Sequence, residues 1–188
     1  QLGRLTDTKQ GIKLLQESIK LAEDEGKPYE VVRNAGALAE KHIFQGQFQE
    51  AVRWGEWAIK EFTRLSVKDG QLYLLILNGW AYARILTGQL AGLEKILVDN
   101  ERLLVVAYPN LAQLFRSTLA DYLLITSQPL EALKLYESNY ELALQRFKGI
   151  ASLDLTRVFL ELGRINDAIE VARLSQNMVQ DESSFYQT

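Results

Sequence analysis

The chain of 188 residues contains no cysteine, which excludes disulfides, zinc–thiolate sites and thiol nucleophiles. It has a single histidine, His42, and no Gly-x-Ser-x-Gly motif, so no evident pair of nucleophile and base is present. Neither Gly-x-x-x-x-Gly-Lys nor Gly-x-Gly-x-x-Gly occurs, and the sequence therefore lacks a recognisable phosphate cradle. These absences argue against an enzyme, and we expect no cofactor and no metal.

Positive charge is also scarce. Lysine and arginine number 21 against 24 acidic residues, and no stretch is basic enough to neutralise a row of phosphates. We therefore expect no direct binding to nucleic acid.

The longest uncharged runs, 70–83 and 103–115, are shorter than the roughly 18 residues that indicate a membrane span. We expect a cytoplasmic protein without membrane contact, and the start at Gln1 without a signal-peptide pattern favours a fragment of a longer protein.

The sequence does contain an internal repeat. A glycine or its substitute, followed by a helix start, recurs at a spacing of roughly 36 to 43 residues, which is typical of helical repeats. The copies are Gly46–Ala51, Gly88–Leu90, Ser127–Ala132 and Gly163–Ala168, with a weaker one at Gly3–Asp7. Such an array is a surface that binds another molecule rather than a pocket for chemistry.

Apolar residues recur at helical spacing nearly throughout, and strand signals are absent. Prolines 28, 109 and 129 suit the first turn of a helix, and Gly26, Gly46, Gly88 and Gly163 suit its left-handed end. The positions of these prolines and glycines predict helices near 5–25, 28–45, 47–66, 70–87, 89–107, 109–127, 129–146, 149–162 and 164–179. We predict one domain over 1–188: a partial repeat at 1–27, hairpins at 28–66, 70–107, 109–146 and 149–179, and a frayed tail at 180–188.

Small residues flank each repeat loop, such as Ala39 before Gly46 and Ala51 after it. They allow the two helix axes of a hairpin to approach closely. These residues resemble those of tetratricopeptide repeats (TPRs), a family with a small residue in the first helix, glycine at the turn and alanine five residues later. The resemblance implies an all-α, right-handed superhelix of antiparallel hairpins, a solenoid with about nine helices.

This chain departs from the TPR pattern in two ways. Its period exceeds the family's 34 residues, and the usual aromatic of the second helix is retained at Tyr136 but replaced by Gly55, Leu97 and Ala172 in the other units. Such long units resemble the helical sensor domains of MalT-type transcriptional activators and related signalling ATPases. An aromatic patch around Trp54 and Trp57 has two interpretations, groove-filling core and exposed binding shelf.

The resemblance implies that the first helix of each hairpin lines a concave groove. Positions expected to face it include Gly36 and Leu153, and the candidate partner-binding residues are Arg33, Glu40, Asn78, Tyr82, Ser117, Asp121 and Arg157. Asparagine offers a donor and an acceptor for a peptide backbone, and arginine can hold a carboxylate. The alternative is that these polar groups only solvate the surface.

The sequence thus predicts a non-enzymatic module that binds a peptide, a protein segment or a small-molecule inducer. One hypothesis makes it the sensor domain of a larger signalling or transcriptional regulator. A second makes it a passive scaffold for protein assembly, and an enzyme remains as a residual third. Self-association through exposed repeat ends is a further expectation.

Overall fold

A computed structural model of the chain describes residues 8–143 and 148–185. These ranges contain nine α-helices and no strand, which confirms the all-α fold of about nine helices. The helices are α1 (Thr8–Asp24), α2 (Pro28–Phe44), α3 (Phe48–Arg64), α4 (Gly70–Leu86), α5 (Leu93–Ala107), α6 (Pro109–Ile125), α7 (Pro129–Leu142), α8 (Lys148–Glu161) and α9 (Ile165–Phe185). None of these helices is long and apolar enough to cross a bilayer.

The predicted roles of proline at helix starts and of glycine at helix ends are confirmed. All three prolines open a helix, where the missing N–H would lack a partner in any case. Four of the predicted glycines close a helix with positive φ, between 64° at Gly26 and 73° at Gly88. Ser127 takes the same left-handed conformation at φ 62°, so the serine at this repeat loop replaces glycine in conformation as well as in sequence.

Three boundaries differ from the prediction by four residues or more. Helix α7 ends at Leu142 rather than near 146, because Ala143 takes an extended conformation with φ −64° and ψ 133°. Helix α5 begins at Leu93 rather than near 89, because Gly92 also has a positive φ of 75° and residues 88–92 form an extra turn. Helix α9 continues to Phe185, so the tail predicted to fray from 180 is helical up to that residue, with no glycine or proline to stop it. The weak repeat copy at 3–7 and the tail beyond 185 lie outside the described residues.

The chain divides into two compact units, Gln1–Leu93 and Glu94–Thr188. In the first unit, α2 packs against α1, α3 and α4, and its buried Val32, Ala35 and Leu38 form the centre of the core. In the second unit, α6 packs on α7, α7 on α8, and α8 on α9. Connections of three to five residues between packed neighbours in the first unit make those neighbours antiparallel.

Two glycines mark close helix contacts in the first unit. A Cβ at Gly36 would lie 2.7 Å from Ile76 Cγ1, and a Cβ at Gly55 would lie 2.9 Å from Trp80 Cβ. The first contact packs α2 directly against α4, so the prediction that Gly36 faces an open groove is wrong. The second explains why Gly55 replaces the family's aromatic residue, because Trp80 of α4 occupies that space.

The tryptophan patch belongs mainly to the core. Trp54 and Trp57 meet edge to face with their ring centroids 5.6 Å apart, and both are partly buried against the cluster around Leu38 and Ala58. Phe62 packs on the same cluster and on the ring of Tyr73. The groove-filling interpretation therefore accounts for these aromatic side chains.

Candidate functional site

The candidate residues lie on the first helices of the hairpins, α2 and α4 in the first unit and α6 and α8 in the second. Within each unit, we call the surface formed by its own candidate residues the first-helix face of that unit. In the first unit, Gly36 and Ile76 place α2 and α4 side by side. In the second, Arg157 of α8 forms an ion pair with Asp121 of α6. Each unit therefore has two adjacent first helices, as a recognition surface built from them requires.

In the first unit, Arg33 is exposed and pairs with Glu30 one turn earlier, with Nη2 and Oε2 2.6 Å apart. Glu40 is exposed, and Tyr82 is half-buried. Asn78 is also half-buried, but its Oδ1 is buried and accepts no hydrogen bond from the described residues. A buried acceptor without a donor costs free energy, which a ligand N–H or a water can recover.

The candidates of the second unit are engaged by their neighbours instead. The hydroxyl of Tyr136, on α7, donates to Asp121 Oδ1 at 2.7 Å, and Arg157 Nη2 donates to the same hydroxyl at 2.5 Å. Arg157 also bonds Asp121 directly, and Asp154 Oδ1 lies 3.8 Å from its Nη2. One cluster thus joins three successive helices, α6, α7 and α8, with its arginine side chain 47% exposed.

A second cluster holds Ser117 and is more deeply buried. Arg116 of α6 donates through Nη2 and Nε to Glu101 of α5, at 2.6 and 3.0 Å, and the two side chains are 11% and 18% exposed. Its Nη1 donates to Asn139 Oδ1 at 3.3 Å, while Asn139 Nδ2 donates to Ser117 Oγ at 2.8 Å. Ser117 therefore serves to hold α7 against α6.

The pKa values shift for different reasons among the members of the first cluster, which consists of Asp121, Tyr136, Asp154 and Arg157. Burial, and next the neighbouring Asp121 carboxylate, raise the pKa of Tyr136 well above its usual range. Burial lowers the pKa of Arg157, but the surrounding Asp121, Tyr136 and Asp154 side chains together raise it by more, so the net shift is upward. Burial and repulsion from Asp121 raise the pKa of Asp154 to about 6. Asp154 is the member whose charge the fold stabilises least.

The raised pKa of Asp154 predicts that the free energy of unfolding depends on pH. Between the ordinary pKa of 3.8 and about 6, folded Asp154 holds a proton that the unfolded chain has released, so stability falls as pH rises through this window. Asp154→Asn is expected to remove this loss and to raise the free energy of unfolding at neutral pH by about 1 kcal/mol, allowing for its partial exposure. Urea unfolding of both proteins across the window measures the difference, which should vanish at the acidic end. A difference independent of pH would contradict the assignment.

The sequence did not identify Arg116, Glu101, Asn139 and Asp154 as site residues. Tyr136 was noted as the retained aromatic, and Asn139 lies on the same helix face three residues later. A polar residue beside a buried tyrosine was therefore a detectable signal. Glu101 had none, because its partner Arg116 lies 15 residues away on another helix.

The side chains that metal binding would require are not assembled in the described residues. His42 is 6% exposed, and its Nδ1 lies 2.6 Å from Gln47 Oε1, which fixes the loop between α2 and α3. Among residues 8–143 and 148–185, no grouping of three or more histidine, cysteine, aspartate or glutamate side chains could hold a metal ion. The first-helix faces instead combine polar side chains with exposed leucines, a mixture suited to binding.

No protein-family model and no curated protein sequence matches this chain. Solved structures do match. The chain is similar to the nearly identical TPR-like repeats of a Podosopora anserina protein described as a kinesin light chain, with TM-score 0.63 and 17% identity over 93% of this chain and 88% of that one. A singly substituted form of the same repeats gives a TM-score of 0.67 and 16% identity over 94% and 89% of the two chains.

BtubC (BKLC) from P. vanneervenii is more distant, with TM-score 0.51 and 12% identity over 95% of this chain and 93% of that one. At these identities the likeness concerns the fold, and it covers nearly the whole chain. The protein therefore has the fold of tetratricopeptide-like helical repeat proteins.

Proposed function

We propose that this protein is a non-enzymatic recognition module that binds a peptide or protein segment on its first-helix faces. Stacked helical repeats generally present such extended binding surfaces. The observation that carries the proposal is the pairing of adjacent first helices in each unit, with large apolar side chains left exposed on them. Leu75 of α4 is 48% exposed, Leu114 of α6 44% and Leu153 of α8 63%.

Asn78 is the most favourable contact point in the first unit. Its amide is held on α4 one turn from the exposed Leu75, with an acceptor atom that no described residue satisfies. Extended peptides present backbone N–H groups at regular intervals, and Asn78 Oδ1, which is buried in the free protein, gains a hydrogen bond from one of them when its side chain turns outward. Arg33 and Glu40 would then provide charged contacts at the α2 side of the same face.

A peptide library displayed on phage and selected on the immobilised protein supplies a probe for this proposal. A selected peptide, made synthetically with a fluorescent label, is expected to bind the double variant Asn78→Ala/Tyr82→Ala about tenfold more weakly, a loss of roughly 1.4 kcal/mol. The single variant Asn78→Ala should keep the wild-type melting temperature, because it removes an unsatisfied buried acceptor. Anisotropy titrations and thermal melts measure the two quantities.

The control is Glu56→Ala/Lys60→Ala, which changes two exposed residues of α3 outside the first-helix face. It should bind like wild type. Unchanged affinity in both Asn78 variants would mean that the peptide binds elsewhere, and a library without any binder would contradict the proposed function itself.

We further propose that the module is the sensor part of a larger signalling or transcriptional regulator. Support comes from the long repeat units, which resemble those of MalT-type sensor domains. A ligand can shift such a regulator only by its differential affinity for two arrangements of the parent. A parent gene encoding a nucleotide-binding motif or a DNA-binding helix pair supports the sensor, and a parent made only of repeats supports the passive scaffold.

A further inference from the structure

Helix α8 presents exposed apolar side chains beside acidic ones. Leu153 and Leu160 are 63% and 52% exposed, and they lie seven residues apart on one stripe of the helix. Asp154 and Glu161, also seven apart, form the adjacent stripe. Two leucines in water beside two carboxylates make an amphipathic surface that nothing in the described part of the chain covers.

Helix α6 extends this surface. The Asp121–Arg157 ion pair brings the two helices together, and Leu114, 44% exposed, lies seven residues before Asp121 on the same side of α6. We name this surface the α6/α8 patch and define it by the following residues: Leu114, Asp121, Leu153, Asp154, Arg157, Leu160 and Glu161.

Charge on the α6/α8 patch is unbalanced. Arg157 is its single cation, and that guanidinium is already bonded to Asp121 and to the Tyr136 hydroxyl. Asp154 lies 3.8 Å away, beyond a good hydrogen bond, and Glu161 adds a further carboxylate one turn past Arg157. Residues 94–188 as a whole contain 13 acidic and nine basic side chains. Asp154 is therefore the carboxylate of the patch that lacks a closely paired cation.

We propose that the α6/α8 patch binds a basic, leucine-containing peptide segment, with a lysine or arginine paired to Asp154 and apolar side chains packed on Leu153 and Leu160. This inference rests on the proposed binding function and adds the chemistry of the partner. Charge complementarity selects a cationic segment, because a second cation neutralises the carboxylate that Arg157 pairs only weakly. The exposed leucines supply apolar area that an ordinary solvated face would not need.

Binding of a basic segment at Asp154 should also depend on pH. Asp154 faces Asp121 from α6, the Tyr136 hydroxyl from α7 and Arg157 on its own helix. A bound cation stabilises its ionised form, so binding releases the proton that Asp154 retains near its raised pKa of about 6. Affinity for a basic segment should therefore fall as the pH is lowered through that value.

Two labelled synthetic peptides test the proposal on the full chain. Both carry leucines at the same positions, and they differ only in having lysine or glutamate at the remaining positions. We expect the lysine peptide to bind about tenfold more tightly than the glutamate peptide, with a preference that fades at high salt. Asp154→Asn should weaken the lysine peptide by about tenfold and abolish the pH dependence, and Leu153→Ala should weaken both peptides.

Glu137→Gln is the matched control, an exposed carboxylate on the second helix α7. It should leave both affinities unchanged, whereas Glu161→Gln should weaken the lysine peptide alone. Equal binding of the two peptides, or an unaltered Asp154→Asn variant, would overturn this inference. Library-selected peptides that still depend on Asn78 would in that case leave the proposed function standing, so the two failures are distinguishable.

Discussion

Replacing Arg116 with alanine is expected to lower the free energy of unfolding by about 3 kcal/mol. The substitution leaves Glu101 as an unpaired carboxylate that is only 18% exposed, and it removes the donor to Asn139 Oδ1. Breaking a buried pair by deleting one partner costs several kcal/mol, because the remaining charge stays out of water. The melting temperature should fall by roughly 10 °C.

Two further variants separate pair breakage from a general loss of charge. Arg164→Ala disrupts an ion pair with Asp167 whose side chains are 46% and 41% exposed, and it should cost less than about 1 kcal/mol. The double variant Glu101→Leu/Arg116→Met should recover much of the lost stability, since no unpaired charge remains. Urea unfolding of the three variants measures these differences. A cost for Arg116→Ala as small as that for Arg164→Ala would show that the pair is not stabilising.

Backbone conformation was largely predictable from the sequence. A proline or a glycine stands at nearly every helix boundary, and each has a strong intrinsic preference that neighbouring helices do not override. Ser127 was identified through its position in the repeat, although serine alone does not favour positive φ. Helix α5 was misplaced because Gly88 and Gly92 are both left-handed, and the repeat pattern named only the first.

Side-chain partners were much less predictable. The TPR resemblance placed Ser117, Asp121 and Arg157 on the first helices, and the structure finds them there. However, Asp121 and Arg157 are 36 residues apart and bond each other, and Ser117 bonds Asn139 on the next helix. Such pairing depends on rotamers and interhelical distances, which the helical period does not encode.

The same limit explains the two close glycines. The sequence shows Gly36 and Gly55 as small residues inside helices, where glycine is unfavourable by about 1 kcal/mol relative to alanine. That cost indicates a close contact or a functional need but does not identify the neighbour. The neighbours are Ile76 and Trp80, both on α4, so this one helix determines both positions.

Gly55→Ala is therefore expected to destabilise the protein by about 2 kcal/mol, whereas Gly79→Ala should stabilise it by roughly 0.5 to 1 kcal/mol. The new methyl at 55 would lie 2.9 Å from Trp80 Cβ and 3.3 Å from its Cα, atoms that cannot move without shifting α4. Overpacking of this kind costs about 1 to 3 kcal/mol, more than the gain in helix propensity offsets. A Cβ at Gly79, inside α4, meets nothing within 4 Å, so only the propensity gain remains. Thermal and urea unfolding of both variants provides the measurement, and changes of the same sign would contradict the close approach of α3 and α4 on which the first unit is built.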